Sequence, residues 1–358
     1  MAEIVVPGGT VGILGGGQLG RMLAIAAARM GLRTHIYAPD EDPPAGHVAA
    51  AVTTAGWDDA AALARFAEAV DVVTYEFENV PLATAEIVAA HAPLHPGRQA
   101  LAVSQDRWAE KSFLQGEGLA TAPFAQVDDI ADLERAIAEI GTPAILKTRR
   151  LGYDGKGQAR IADPSGAEAA MAAIGRAPAI LEGFVDFRAE LSVIGARGLD
   201  GRVACFDPAE NVHVDGMLQS STVPATLPKA LQQEAVLATG RLLNALDYVG
   251  VIGVEFFAGD QGLLVNEFAP RVHNSGHWTI EACPVDQFAQ HIRAICGWPL
   301  GDGARLLDAV MENVVGHDAA GWAEMAERPD TGLHLYGKAE ARAGRKMGHA
   351  TRTAPRRG

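Results

Sequence analysis

Cysteine is scarce in this chain, and its scarcity limits the kinds of site that the chain can build. Only Cys205, Cys283 and Cys296 occur among the 358 residues. Their number is odd, and no CxxC pair or His/Cys cluster has the spacing typical of a zinc site. The pattern argues against a disulfide-stapled scaffold and favours unpaired thiols in a reduced, cytoplasmic protein.

Positive charge and long hydrophobic runs are scarce as well. The chain has 30 Lys and Arg against 44 Asp and Glu, a formal net charge of −14. This balance argues against general binding to nucleic acid or to a membrane surface, although a local basic cluster can still bind an anion. No apolar run reaches the roughly 18 residues of a membrane span, and glycines interrupt the N-terminal apolar stretch. Neither a membrane segment nor a signal peptide is therefore expected.

The length and the 48% hydrophobic content predict two to four compact units. In the first hundred residues, apolar runs of strand length alternate with helical segments. This alternation predicts an α/β unit with a doubly wound parallel sheet, whose ligands bind at the carboxyl ends of the strands. Its predicted strands are 10–15, 34–38 and 71–77, and its predicted helices are 19–30 and 58–69.

Beyond residue 105 the pattern changes to short strands, hairpins and isolated helices, which predicts an α+β arrangement. The final eight residues are expected to form a disordered tail. The predicted strands are 124–127, 144–148, 180–185, a meander over 189–206, 251–258 and 262–269, and the predicted helices are 105–116, 129–139, 165–174, 228–246 and 285–296.

A glycine motif, Gly15-x-Gly17-x-x-Gly20, follows the first strand, and Asp40 lies twenty residues beyond it. This is the local pattern of a dinucleotide site and, by itself, favours NAD. The pattern is weak, because any phosphate can bind at such a helix N-terminus and the glycines can also serve packing alone.

A second glycine-rich segment covers residues 152–158, with Lys147 upstream of it. Glycines let backbone N–H groups approach phosphate oxygens, and the lysines supply positive charge. It is not a P-loop, because GK is not followed by Ser or Thr. The alternative interpretation is an exposed hairpin tip.

Two glutamates, Glu255 and Glu267, lie on the two strands of a predicted hairpin, and Asn266 precedes the second. Paired carboxylates on one face repel each other unless a cation bridges them, and oxygen ligands suit Mg²⁺ bound with nucleotide phosphates. The next segment, 269–277, adds Arg271, His273, Asn274 and His277 to a predicted site wall, where His277 can also be a structural group.

Taken together, these motifs resemble the ATP-grasp superfamily and, within it, the N5-carboxyaminoimidazole ribonucleotide synthases. The resemblance runs from residue 12 to about residue 349. The segments that carry it are GGGQLGRML, YEFENVP, GYDGKGQ, LEGF, NEFAPRVHNSGHW and GRKMGH.

The resemblance implies ATP-dependent transfer of bicarbonate to the exocyclic amine of aminoimidazole ribonucleotide, through carboxyphosphate, in purine biosynthesis. It implies ATP and Mg²⁺ as cofactors, a homodimer and no bound NAD. The implied units are a Rossmann-like pre-ATP-grasp domain (1–105), a small ATP-grasp subdomain (106–183), a large one (184–297) and a C-terminal substrate-phosphate domain (298–358).

The same resemblance assigns roles to individual residues. For catalysis it implies Arg271, His273, Lys147, Tyr153 and Asp154. For ATP it implies Arg107, Lys147, Gly152, Tyr153, Asp154, Gly155, Lys156, Gly157, Gln158, Glu182, Gly183, Phe184, Val185, Glu190, His213, Asn266 and Glu267. For Mg²⁺ it implies Glu255 and Glu267, and for the ribonucleotide Gln18, Leu19, Glu76, Arg271, Asn274, Lys338, Arg345 and Lys346. Gly183 stands where some relatives have a polar residue, so only backbone contacts are expected there.

Three alternatives remain open at this point. A formate-using ligase acting on glycinamide ribonucleotide would share the architecture and the phosphate site. A nicotinamide-dependent dehydrogenase would explain the first glycine motif. A non-catalytic nucleotide-binding regulator would explain the glycines, but not the full set of acidic and basic site residues.

Overall fold

The computed structural model of the chain describes residues 4–152, 155–260 and 262–357. Strands within these ranges form three sheets. Tyr153 and Asp154, which are predicted to act in catalysis and in nucleotide binding, lie outside the described residues.

The first sheet is parallel, as predicted, with the strand order β3-β2-β1-β4. Strand β4 ends at Tyr75, so Glu76 and Glu78 follow it at the carboxyl edge of the sheet. Helix α1 starts after Gly17 and ends before Gly31, whose φ of +73° suits glycine. The elements are β1 Thr10–Leu14, α1 Gln18–Arg29, β2 Arg33–Ala38, β3 Ala51–Thr54, α2 Ala60–Glu68, β4 Val72–Tyr75, α3 Leu82–Ala89 and α4 Arg98–Ser104. Of these, β3, α3 and α4 were not predicted.

The second sheet is antiparallel, with the strand order β5-β8-β6-β7, and packs against two helices. Lys147 is paired with Gln158, so the glycine-rich segment connects the two strands of a hairpin, as predicted. The elements are α5 Arg107–Gly116, β5 Phe124–Val127, α6 Ile130–Ile140, β6 Ala144–Thr148, β7 Gln158–Ile161, α7 Ala167–Ala173 and β8 Ala179–Gly183.

The third sheet is larger and has the order β14-β13-β9-β11-β12-β15-β17-β16, with β10 paired to β9 outside this path. Its strands are β9 Phe187–Arg197, β10 Val203–Cys205, β11 Ala209–Val214, β12 Met217–Val223, β13 Gly250–Gly259, β14 Gly262–Ala269, β15 Leu307–Val315, β16 Thr331–Leu335 and β17 Lys346–Pro355. The helices of this part are α8 Lys229–Ala245, α9 Thr279–Ala282, α10 Gln287–Ile295 and α11 Trp322–Ala326.

The C-terminal strands continue the third sheet. Strand β12 pairs with β15, where Ser221 lies opposite Met311. The predicted disordered tail is wrong, because β17 remains paired with β15 as far as Pro355. This segment is a strand despite its basic residues, and Ala350 and Thr351 of the strand are buried. The four unit boundaries predicted from the sequence stay predictions.

Candidate active site

Two clefts meet at the paired glutamates of β13 and β14. Glu255 and Glu267 are directly opposite each other across the two strands, so their side chains share one face of the third sheet. Both glutamates and Arg107 line both clefts. We call them the lysine cleft, which also contains Lys147, Lys156, Glu190, Asn211, His213 and Asn266, and the arginine cleft, which also contains Glu78, Arg149, Gly152, Arg271 and His273.

The two glutamates differ in their electrostatic surroundings. Burial raises the pKa of Glu255, and the neighbouring Glu267 raises it further. For Glu267 the effect of burial is outweighed by Arg107, whose NH1 lies 2.7 Å from Oε2, so the pKa of Glu267 is lowered. Asn266 Oδ1 is buried without a hydrogen-bond partner among the described residues. Two carboxylates and a buried amide oxygen form an oxygen-only donor set, which fits Mg²⁺.

A buried ion cluster lies beside the lysine cleft. Lys147 Nζ is 3.1 Å from Glu182 Oε2, and Lys111 Nζ is 3.4 Å from the same oxygen. Lys111 is 1% exposed and Glu182 is 3% exposed. Burial raises the pKa of Glu182, but Lys147, Lys111 and Arg107 together lower it to about 2. Glu182 therefore remains a carboxylate between two lysines.

Helix α5 contributes two residues that were missed in the sequence, Glu110 and Lys111. They project towards the site from the same helix face as Arg107, which was predicted. Glu110 Oε1 accepts a hydrogen bond of 2.7 Å from the backbone N–H of Phe268, next to Glu267. Charged residues spaced three and four apart on an otherwise apolar helix face were the available signal.

The predicted adenine-binding segment lines a separate hinge cleft, which adjoins the lysine cleft at Phe257. Two backbone N–H groups of this segment already have partners within the protein. The N–H of Gly183 donates to the carbonyl of Pro123, and the N–H of Phe184 donates to the carbonyl of Pro143. Phe184 and Val185 line this hinge cleft. Glu190 lies in the lysine cleft and forms an ion pair with His213, which raises the pKa of His213 although burial lowers it.

The glycine-rich segment reaches from the second sheet to the third. Gly157 has a φ of +71°, and a Cβ there would lie 2.6 Å from Thr148 Oγ1, so only glycine fits without strain. A Cβ on Gly155 would lie 3.3 Å from the carbonyl oxygen of Asp215, in the turn between β11 and β12. The segment thus borders the lysine cleft on the side of this turn.

In the arginine cleft, Arg271 forms an ion pair with Glu78. His273 Nε2 lies 3.8 Å from Glu255 Oε1, and His273 Nδ1 is within 2.8 Å of Ser275 Oγ. Gly253 makes room for this histidine, since a Cβ there would lie 2.5 Å from His273 Cβ. Asn274, which is not among the residues lining either cleft, has both amide atoms buried without a hydrogen-bond partner in the described part of the chain.

Glu76 occupies the N-terminus of α1, where a dinucleotide phosphate would otherwise bind. The backbone N–H of Gly17 donates to its Oε1 at 2.8 Å, and that of Gly20 donates to its Oε2 at 3.2 Å. A carboxylate on these amides competes with any phosphate, so the glycine motif does not form an NAD site here. Gln18 and Leu19 form the first turn of this helix.

Two of the predicted ribonucleotide residues, Arg271 and Lys338, act on the charge of Glu76. Burial raises the pKa of Glu76, while the hydrogen bonds from Gly17 and Gly20 and the charges of Arg271 and Lys338 act to lower it. Lys338 Nζ donates to the carbonyl of Lys346 at 2.7 Å, and burial lowers the pKa of Lys338 to about 8. Arg345 NH1 donates to the carbonyl of Glu340 at 2.9 Å. Lys338 therefore lies near the end of the first sheet, where Glu76 follows β4.

Other residues have structural roles or lie away from the site. His277 is 1% exposed, its ring centroid lies 4.5 Å from that of His349, and its Nδ1 lies 3.0 Å from Gln287 Nε2, so its surroundings are those of a structural group. In the described ranges no group of three or more His, Cys, Asp or Glu residues is arranged to hold a metal. None of the described helices is long and apolar enough to cross a membrane.

Comparison with known proteins agrees with this geometry along nearly the whole chain. Family models match for the ribonucleotide synthetase preATP-grasp domain at residues 9–105, the ATP-grasp domain at 112–288 and the phosphoribosylaminoimidazole carboxylase C-terminal domain at 309–358. The N5-carboxyaminoimidazole ribonucleotide synthase of Brucella melitensis is 56% identical over 98% of both chains. The chain belongs to the N5-carboxyaminoimidazole ribonucleotide synthase family.

Solved structures of this family have the same fold. An ADP complex of an N5-carboxyaminoimidazole ribonucleotide synthetase matches with a TM-score of 0.96 and 42% identity, over 99% of this chain and 94% of the other. The Aspergillus clavatus N5-carboxyaminoimidazole synthase in complex with ADP and 5-aminoimidazole ribonucleotide matches with a TM-score of 0.92 and 30% identity, over 98% and 94%. As a member of the N5-carboxyaminoimidazole ribonucleotide synthase family, the chain is an ADP-forming ATP-grasp ligase.

Proposed function

We propose that this enzyme uses ATP and bicarbonate to carboxylate the exocyclic amine of 5-aminoimidazole ribonucleotide, releasing ADP and phosphate. The observation that carries the proposal is the junction of the two clefts. Arg107, Glu255 and Glu267 line both of them, so a phosphoryl group entering from the lysine cleft meets an acceptor held in the arginine cleft.

The carboxylation requires a site for ATP and a site for bicarbonate and the amine, and the two sites must meet where the phosphoryl group is transferred. Bicarbonate is a poor electrophile, and transfer of the terminal phosphoryl group of ATP to it creates carboxyphosphate, from which phosphate can leave. Because this mixed anhydride hydrolyses in water, it must form beside the amine and away from solvent. We expect Lys147, Lys156 and the N–H groups of the glycine-rich segment to hold the ATP phosphates, with the adenine in the hinge cleft.

Glu255 and Glu267, with Asn266 beside them, would hold Mg²⁺ at the junction of the clefts. Bound there, Mg²⁺ would neutralise the charge that develops on the transferred phosphoryl group. Arg107 is expected to act in the same direction, since its guanidinium is already held next to Glu267.

The arginine cleft would hold bicarbonate and the amine. Arg271 can exchange Glu78 for bicarbonate or carboxyphosphate, whose oxygens suit a planar guanidinium. Asn274 offers buried amide groups, and His273 directs its Nε2 towards the reacting centre. The ribonucleotide is expected near Gln18 and Leu19, with Lys338, Arg345 and Lys346 as the cationic partners of its phosphate.

The test is ADP release by the purified enzyme with Mg-ATP and bicarbonate, with and without aminoimidazole ribonucleotide. We expect ADP release to depend on both substrates. Formate in place of bicarbonate, and glycinamide ribonucleotide in place of aminoimidazole ribonucleotide, should not support turnover. Turnover with formate and glycinamide ribonucleotide alone would replace the proposal with the competing ligase activity.

A homodimer and a cytoplasmic location stay predictions from the resemblance and from the unpaired cysteines. Light scattering at micromolar concentration tests the first, and a monomeric mass would contradict it.

A further inference from the structure

A buried amide on β11 lies in the wall of the lysine cleft without a role in the function proposed above. Asn211 is 6% exposed and lines this cleft together with Glu190, His213 and Glu255. It is directly opposite Glu190 on β9, so both side chains project from the same face of the sheet. Asn211 therefore faces the ligands of the cleft rather than the hydrophobic core.

In the side-chain amide of Asn211, the oxygen has a hydrogen-bond partner, whereas the nitrogen has none among the described residues. Ser221 Oγ, which is fully buried on β12, donates a hydrogen bond of 2.8 Å to Asn211 Oδ1. With Oδ1 facing Ser221, Nδ2 is the group turned away from this serine. Nδ2 is buried, and none of the described residues accepts a hydrogen bond from it. A buried donor without an acceptor is costly, which indicates that a partner is missing from the protein itself.

The surroundings define the chemistry of that partner. An N–H donor requires an acceptor, and the positive groups of the cleft, Lys147 and Arg107, favour an anion. The carboxylate of Glu190 is already paired with His213. We propose that Asn211 Nδ2 donates to an anionic oxygen bound in the lysine cleft, and that Ser221 holds the amide in the donating orientation.

Two substrates of the proposed function could supply this oxygen, so the inference rests on that function. One source is the terminal phosphoryl group of ATP, and the other is bicarbonate at the junction of the clefts. Both present the same chemistry to an N–H donor. They differ in which binding constant changes when the donor is removed.

The experiment compares Asn211→Ala with Asn313→Ala and with the wild type. Asn313 is a matched control: it is 7% exposed on β15 of the same sheet, its Nδ2 donates to the carbonyl of Leu218, and it is not among the residues lining the two clefts. For each protein, kcat and the KM values for ATP and bicarbonate are measured, together with the affinities for ADP and for a non-hydrolysable ATP analogue. Circular dichroism and thermal melting establish that each variant is folded.

Loss of a hydrogen bond to a charged group should reduce kcat/KM about ten- to a hundredfold in Asn211→Ala and less than about threefold in Asn313→Ala. Weaker binding of the ATP analogue with unchanged ADP affinity identifies the phosphoryl oxygen. A higher KM for bicarbonate with unchanged nucleotide affinities identifies bicarbonate as the source of the oxygen. Ser221→Ala should give a smaller loss in the same constant, because the amide remains but its orientation is freed.

The inference is overturned if folded Asn211→Ala keeps both KM values and kcat within twofold of the wild type. It is equally overturned if Asn313→Ala shows the same losses, since the effect would then come from the sheet as a whole. Failure of the proposed function is distinct, because the wild-type enzyme itself would then form no ADP with bicarbonate and aminoimidazole ribonucleotide.

Discussion

The buried cluster of Lys111, Glu182 and Lys147 allows a stability prediction whose size follows from the structure. We consider Lys111→Met, which keeps the length of the side chain but removes its charge. At the observed 3.4 Å between Nζ and Oε2, and at an effective dielectric constant of about 20, the lost attraction is about 5 kcal/mol. The methionine no longer carries the desolvation cost of the buried ammonium, and Glu182 retains Lys147 at 3.1 Å. We therefore expect a net destabilisation of about 2–3 kcal/mol.

Removal of the other partner, in Glu182→Gln, should lower the free energy of unfolding more than Lys111→Met does. It leaves two lysines near each other without their counterion, and removal of one partner from a buried ion pair costs about 3–5 kcal/mol. The double variant Lys111→Met/Glu182→Gln leaves no charged lysine at position 111 without its counterion. Its loss should be smaller than the sum of the two single losses by about 2 kcal/mol or more.

The assay is a double-mutant cycle on urea unfolding of the nucleotide-free protein at neutral pH, with thermal melting as a second measure. Lys229→Met serves as a control, because Lys229 is exposed at the start of α8 and should change stability little. If the losses at 111 and 182 add to within about 0.5 kcal/mol, the two residues are not coupled and the reasoning fails.

The pH dependence provides an independent check. The pKa of folded Glu182 is lowered to about 2, below the value near 4.5 expected for the unfolded chain. Its contribution to stability is therefore present above pH 4.5 and is lost as the pH falls through the folded value. Lys111→Met should raise the pKa of folded Glu182, so the acid loss of stability should be smaller and should level off at a higher pH than in the wild type.

Three further predictions concern the proposed active site. Glu267→Gln keeps the shape of the side chain but removes a metal-binding charge, so turnover should fall by orders of magnitude while the protein still folds; near-normal turnover at ordinary Mg²⁺ would refute the metal assignment. Limited proteolysis at the exposed Lys156 should be slowed by Mg-ATP, and equal cleavage rates with and without nucleotide would argue against closure of the glycine-rich segment. Arg345→Ala should weaken binding of the ribonucleotide by about ten- to a hundredfold and leave ATP affinity almost unchanged. If this variant and Lys346→Ala both keep their preference for the ribonucleotide over the ribonucleoside, the phosphate is bound elsewhere.

Local sequence patterns were sufficient for much of the fold. The alternation of strands and helices predicted that the first sheet is parallel. The spacing of the hairpin predicted that Glu255 lies opposite Glu267. The glycine-rich segment was predicted from composition alone, because close backbone approach requires glycine at positions such as Gly157. Such features depend on residues near each other in sequence or on a repeated spacing, so they can be recognised without knowledge of the tertiary contacts.

Long-range contacts decided what these patterns left open. The first glycine motif is locally compatible with a dinucleotide, and only the packing of β4 against β1 brings Glu76 onto the amides of Gly17 and Gly20. Lys111 and Glu182 are 71 positions apart, and no local pattern reveals that they form a buried pair. The basic C-terminal residues suggested a tail, whereas pairing with β15 makes the chain part of the third sheet as far as Pro355. In each case the deciding free energy comes from hydrogen bonds or charges between distant segments, which arise only when the chain has folded.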